Sequence, residues 1–198
     1  MPRGRRVNSC GEKSKKLLLE KAVELFSTHG FHQTKISDIV KSANLTQPTF
    51  YLYFQSKESL YNDLNEKFQK DLTEIFVNST IEKTKGQNAC EVIQHNIQKI
   101  FNYFVENPHL TKIGFYESSQ ADKVKQLLVS KLENAITNHF KDYSIVKRVD
   151  TNVLAESLVG SMERLTLTNL LTKKTEPQKL AEEISMIYFA EEKSLVRN

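Results

Sequence analysis

Glycine and proline are scarce in this chain, six and four among 198 residues. A polypeptide so poor in turn formers, yet 26% charged, suits long helices better than a β-sandwich. With so few glycines there is no glycine-rich phosphate loop. Only two cysteines occur, Cys10 and Cys90, far apart in the sequence. They suggest neither a disulfide framework nor a zinc site, and ordinary reduced thiols are expected. A thiol-based redox role for either one is the sharper alternative. No apolar run reaches membrane-spanning length. The basic start, MPRGRRVNSCGEKSKK, is not followed by the apolar segment of a signal peptide. A cytoplasmic protein without a membrane partner is therefore expected. No nucleophile elbow or Cys-His pattern appears, so no catalytic residue, metal or cofactor is assigned and no enzyme is expected. Strand-like alternation and fixed-period repeats are absent as well.

What is present begins with charge. Residues 1–57 hold ten Lys or Arg against four Asp or Glu, a balance of +6, while residues 58–198 hold eighteen against twenty, −2. A basic N-terminal third on a near-neutral body is how a phosphate-binding head would look, although charge scatter produces the same pattern.

Apolar spacing then divides the chain. Leu18, Leu19, Ala22, Val23, Leu25 and Phe26 recur at intervals of three and four, which predicts a helix over 13–29. Gly30 suits its left-handed cap. Thr34 is the expected cap of a second helix carrying Ile36, Ile39, Val40 and Ala43. Ala43-Asn44-Leu45 reads as a tight turn, because Asn tolerates the left-handed conformation. Thr46 is expected to cap a short third helix with Pro48 in its first turn and Phe50 and Phe54 on one face. Ser56 is expected to cap a long fourth helix striped by Leu60, Leu64, Phe68, Leu72 and Ile75.

Helix, tight turn and helix across 35–54 is a helix-turn-helix unit. The second helix of such a unit presents its N-terminal residues to the major groove. Here they are Gln47, which can pair with adenine, and Pro48 and Thr49, which can meet a thymine methyl. Thr34, Lys35, Tyr51, Tyr53 and Lys57 are donors that could reach phosphates, and Ser37 and Thr46 complete the candidate DNA contacts. Helix N-termini at Thr34, Thr46 and Ser56 add amides for anions. Phe50 and Phe54 read as core. Tyr51 stays open between core and DNA, since the helical wheel places it near the Phe50–Phe54 face. The basic arm at 2–6 reads equally as a minor-groove arm or a solvated tail.

The stretch GFHQTKISDIVKSANLTQPTFYLYFQSKESL resembles the N-terminal domain of the TetR (tetracycline repressor-like) family of bacterial transcriptional regulators. The matching positions are Gly30, Phe31, Thr34, Ile39, Ala43, Thr49, Tyr51, Phe54, Lys57, Glu58 and Leu60. Val40, Asn44 and Pro48 depart from the usual Ala, Gly and Gly. The resemblance covers 13–65. It implies an all-α protein of about nine helices, with an N-terminal three-helix DNA-binding domain, 1–56, and a C-terminal helical bundle for effector binding and dimerisation, 57–198. It implies a homodimer paired through the last two helices, a double-stranded operator as partner, and Tyr51 on a phosphate. It also implies a small-molecule effector, and most members are repressors.

Beyond residue 57 the chain reads as helical, with breaks at Lys83–Asn88, Asn107-Pro108, Asp142–Asp150 and Lys173–Pro177. Phe68, Phe101, Phe104, Phe115, Tyr116, Phe140 and Met162 are candidates to line a partly apolar effector pocket, although each would serve as core in any helical bundle. Ser157, Gly160 and Ser161 allow close helix approach and suit a dimer seam with Leu165, Ile184, Ile187 and Tyr188, although Gly160 could equally mark a kink. His29 and His32 read as surface turn residues. Glu91 and His95, four apart, have metal-ligand spacing but no evident third ligand, so an exposed ion pair is the plainer reading. The expected function is a ligand-responsive repressor that binds a palindromic operator as a dimer. An effector-independent architectural DNA-binding protein is the alternative.

Overall fold

The computed structural model describes residues 8–81, 89–141 and 143–189, with side chains from Gly11 onward except those of 76–81, 89 and 139. Among the described residues every regular element is helical. The elements are α1 Asn8–His29, α2 Ile36–Ser42, α3 Gln47–Tyr51, α4 Lys57–Ile81, α5 Ala89–Glu106, α6 Pro108–Thr111, α7 Ala121–His139, α8 Ser144–Arg148, α9 Thr151–Leu165 and α10 Pro177–Phe189. Two π-helical segments, Lys112–Glu117 and Thr166–Leu170, follow α6 and α9. The arm at 2–6, the Lys83–Asn88 break and the Cys10 side chain lie outside the described residues.

The chain forms two compact units, one drawn from Met1–Gln69 and His109–Ser118, the other from Lys70–Pro108 and Ser119–Asn198. In the first unit α1 buries Leu18, Ala22 and Phe26, one turn apart on one face. Helices α2 and α3 pack on α1, and the same unit buries Ile39, Val40, Phe50, Phe54, Leu60, Leu64 and Phe68. The His109–Ser118 segment packs beside α1. His109 Nδ1 meets Ser27 Oγ at 2.6 Å, and the Lys112 ammonium donates to the Ser27 carbonyl. A cation at the C-terminal end of α1 also complements the helix dipole. Gly114 lies so close to the Phe68 ring that any side-chain carbon there would overlap it.

In the second unit α10 runs along α5, and α9 along α7. Ile93, Ile97, Ile100, Phe101 and Phe104 face Leu180, Ala181 and Ile184. Val124, Leu128, Leu132 and Ile136 face Leu154, Leu158 and Met162. Asp150 caps α9, its carboxylate accepting from the amides of Asn152 at 2.9 Å and Val153 at 3.3 Å. Lys125 of α7 reaches Glu163 of α9 at 2.8 Å.

Several local expectations change. The first helix begins at Asn8 rather than at residue 13. Thr34 does not cap α2: the cap position is Lys35, whose backbone N–H is held by Asp38 at 3.1 Å, while the buried Thr34 hydroxyl donates back to Gly30 O at 2.9 Å. The expected break at Asp142–Asp150 contains α8, a single turn that buries no residue.

Candidate nucleic-acid interface

The helix-turn-helix is built by three local devices. Gly30, at φ 84°, ends α1 and turns the chain towards α2. Asn44, at φ 51°, ends α2 in the left-handed conformation. Around it Asn44 N–H donates to Lys41 O at 3.1 Å and Leu45 N–H to Val40 O at 2.8 Å, the paired bonds of a Schellman cap. Thr46 then caps α3, its hydroxyl accepting from Thr49 N–H at 3.4 Å. Phe50 and Phe54 are buried with rings 5.4 Å apart, and they anchor this five-residue helix to the unit's core. A helix that short has little stability of its own, so these two rings and the cap hold it.

With that face buried, the other side of α3 is set outward. Gln47, Pro48, Tyr51 and Leu52 are exposed, and Tyr51 keeps 56% of its surface accessible. Tyr51 therefore leaves the core, its ring edge-to-face with that of Phe50, centres 5.4 Å apart. A groove of about 470 Å³ opens beside it, lined among others by His32, Lys35, Ser37, Gln47, Tyr51 and Glu58. Thr46, Pro48, Thr49 and Tyr53 lie outside that lining.

Three of the candidate contacts are spoken for. The Thr34 hydroxyl faces Gly30 and is buried. The Lys57 ammonium donates to Phe31 O at 2.7 Å and Thr34 O at 2.9 Å and sits 4.3 Å from the centre of the Phe31 ring. It is a tie between α4 and the α1–α2 turn, and the side chain is half-buried. Thr49 is half-buried, and its hydroxyl meets that of Thr46 at 2.9 Å. The start of α4 is also occupied. Ser56 and Ser59 cap each other, with Ser59 N–H donating to Ser56 Oγ and Ser56 N–H to Ser59 Oγ, both at 3.1 Å. The backbone N–H of Glu58 and the Ser56 hydroxyl hold the Glu58 carboxyl below its ordinary range. Tyr53 is half-buried. Lys35, Ser37, Thr46 and Gln47 stand exposed. Leu52 and Gln55, both exposed, are absent from the residues picked out by pattern. A helical wheel puts Leu52 one turn after Pro48, away from Phe50 and Phe54, and that signal was available.

The effector candidates divide between the units. Phe68 and Phe115, rings 6.4 Å apart, are buried in the first unit, where Tyr116 is half-buried. Phe101, Phe104, Phe140 and Met162 are buried in the second. A smaller cavity of about 270 Å³ in the second unit is lined by Val105, Pro108, Leu170, Leu171 and Pro177 among others, and by none of the candidates. Of the seam candidates, Ser157, Gly160 and Ile187 are exposed, Ser161, Leu165 and Tyr188 half-buried. Ile184 packs into the unit's own core and offers no surface. The space beside Gly160 is open, and the residue lies within the continuous helix α9. Cys90 is half-buried, with Sγ 3.9 Å from Ser185 O. Glu91 and His95 are exposed, and among the described residues they join no cluster of three metal-ligating side chains. No described helix is long and apolar enough to cross a membrane.

Comparison with known proteins follows the same geometry. The family model for bacterial regulatory proteins of the tetR family matches residues 18–64. The uncharacterized HTH-type transcriptional regulator YdgC of Bacillus subtilis (strain 168) is 35% identical over 181 residues, covering 90% of this chain and 92% of YdgC. A TetR-like transcriptional regulator from Rhodococcus sp. RHA1 superposes with a TM-score of 0.74 at 18% identity, over 95% of this chain and 96% of that one. The fatty acid degradation regulator FadR from Bacillus halodurans superposes with a TM-score of 0.72 at 16% identity, over the whole of both chains.

Proposed function

The chain belongs to the tetR family of bacterial regulatory proteins and is a transcriptional regulator, and from that premise we propose that it is a cytoplasmic repressor that binds a palindromic operator as a homodimer and releases it when a small molecule binds. Residues 1–56 would read DNA, and residues 57–198 would hold the effector and the partner subunit. The observation that carries the reading is the outward face of α3: the Schellman turn, the Thr46 cap and the buried Phe50–Phe54 pair aim Gln47 and Pro48 away from the core, beside a groove that holds Lys35, Ser37 and Tyr51. Gln47 would pair with adenine, while Lys35, Ser37, Thr46, Tyr51 and Tyr53 serve phosphates. Release is a matter of linkage: an effector that favours the DNA-incompetent arrangement lowers operator affinity by its differential affinity for the two arrangements. The likeness to a fatty acid degradation regulator supports a partly apolar effector.

One observation favours the alternative of an effector-independent DNA-binding protein. Phe101, Phe104, Phe140 and Met162 are fully packed inside their unit. Selection of bound duplexes from a randomised library tests the DNA-binding role. A palindromic consensus, with preference at one adenine per half-site relaxed by Gln47→Ala, supports it; enrichment of no sequence overturns it. Repeating the binding measurement with neutral and anionic apolar compounds separates the two readings.

A further inference from the structure

We propose that Leu52 reads thymine: with Pro48 one helical turn before it, Leu52 forms an apolar ridge that meets thymine methyl groups in the major groove. The inference rests on the DNA-reading role above and deepens it. Leu52 keeps 76% of its surface accessible, and among the described residues it and Tyr51 are the only large apolar side chains that the first unit exposes. The regular α3 ends at Tyr51, but Leu52 stays right-handed helical at φ −70° and ψ −22°. Its side chain therefore continues the spiral of α3 and stands nearly in line with Pro48, four residues earlier. Phe50 and Phe54 take the opposite, buried side.

Folding gives no reason for a leucine here. A glycine or polar residue would end the helix as well, and the side chain packs on nothing that buries it. A partner must supply the contact. A protein partner needs an apolar surface far larger than two side chains, and the surroundings are those of a polyanion site. Lys35 and His32 line the adjoining groove, and residues 1–57 carry ten basic side chains against four acidic ones. The C5 methyl of thymine is the one apolar group that bases display in the major groove. Gln47 stands beside the ridge, on the preceding position to Pro48. An adenine paired to Gln47 brings its own thymine, with a methyl at the same step, so Leu52 adds preference for a run of A·T pairs.

The test replaces thymine by deoxyuracil, one position at a time, in the duplex that the wild-type protein selects from a randomised library. Loss of one buried methyl contact should weaken wild-type binding by about fourfold at the position Leu52 reads. Leu52→Ala should bind the thymine and deoxyuracil duplexes equally at that position and keep the wild-type response at positions read by others. Leu52→Met, which retains apolar reach, should keep the response. Equal deoxyuracil sensitivity in wild type and Leu52→Ala at every position overturns the inference and leaves the DNA-reading role standing. Failure of the wild type to select any duplex removes both.

Discussion

Lys57 illustrates how one cation can serve the fold before it serves a ligand. Its ammonium has three donors, and two are given to the carbonyls of Phe31 and Thr34, which lie 26 and 23 residues away. Lys57→Met keeps the length of the side chain and deletes both bonds. It should lower unfolding free energy by about 2 kcal/mol, the scale for bonds to a charged donor, as read by urea denaturation. Operator affinity should fall together with stability, whereas an outward phosphate ligand would lower affinity and salt dependence alone. Spacing identifies Phe50 and Phe54 as core, because a four-residue interval on a short helix puts both on one side. Residue type identifies Gly30 and Asn44 as left-handed, since glycine lacks a Cβ and Asn tolerates that conformation. Spacing does not reveal the roles of Thr34 and Lys57, whose partners are carbonyls set by tertiary folding. Tyr51 could not be resolved by a wheel either, since its exposure depends on how α3 tilts against the rest of the unit.

Between elements, the regular helices are legible and their irregular ends are not. The stripes of α1, α4, α5, α7, α9 and α10 follow from apolar periodicity. The two π-helical segments, Lys112–Glu117 and Thr166–Leu170, leave no such trace. A π turn inserts a residue into a helical pattern without changing composition, and Gly114 against the Phe68 ring shows the packing that the first segment must satisfy. The break at Lys173–Pro177 is visible from Pro177, but its turn is made by Lys173 at φ 57°, where glycine would be usual. Within the second unit, Tyr103 of α5 donates to Asp71 of α4 at 2.9 Å. Burial, and then that hydrogen bond to the carboxylate, push the phenol well above its ordinary value near 10.0. The folded protein thus retains a proton that the unfolded chain releases. The stabilisation from this link is full below pH 10 and is lost as pH rises further. Tyr103→Phe should cost about 2 kcal/mol at neutral pH, the scale for a hydrogen bond to a charged group. Its stability should then fall less steeply than wild type above pH 10, by up to about 1.4 kcal/mol per pH unit. Chemical denaturation at pH 7, 9 and 11 gives both quantities.

For the whole molecule, the proposed dimer would join two DNA-reading heads. The second unit exposes Val153 on α9 and Met186 and Ile187 on α10, the last with 76% of its surface accessible. The Tyr188 hydroxyl sets these helices against each other: it donates to Ser157 O at 3.0 Å and lies 2.9 Å and 2.7 Å from the Ser157 and Ser161 hydroxyls. The apolar side chains that flank this link therefore have a fixed arrangement in the isolated protomer, and a second copy is the partner that the family implies for them. Ile187→Glu places a charge on that face without touching the protomer's core, so the variant should fold and elute at the 22.8 kDa of a single chain. Joining two heads turns the second half-site contact into an intramolecular step at millimolar effective concentration. Operator affinity should then drop on the order of 100-fold when the join is lost. The slope of log affinity against log salt should fall to about half, because one head neutralises half the phosphates. Preference at each base within a half-site should stay as in wild type, since the outward face of α3 is untouched. A variant that remains dimeric by light scattering, or one that loses base preference along with affinity, would place the subunit contact elsewhere on the chain.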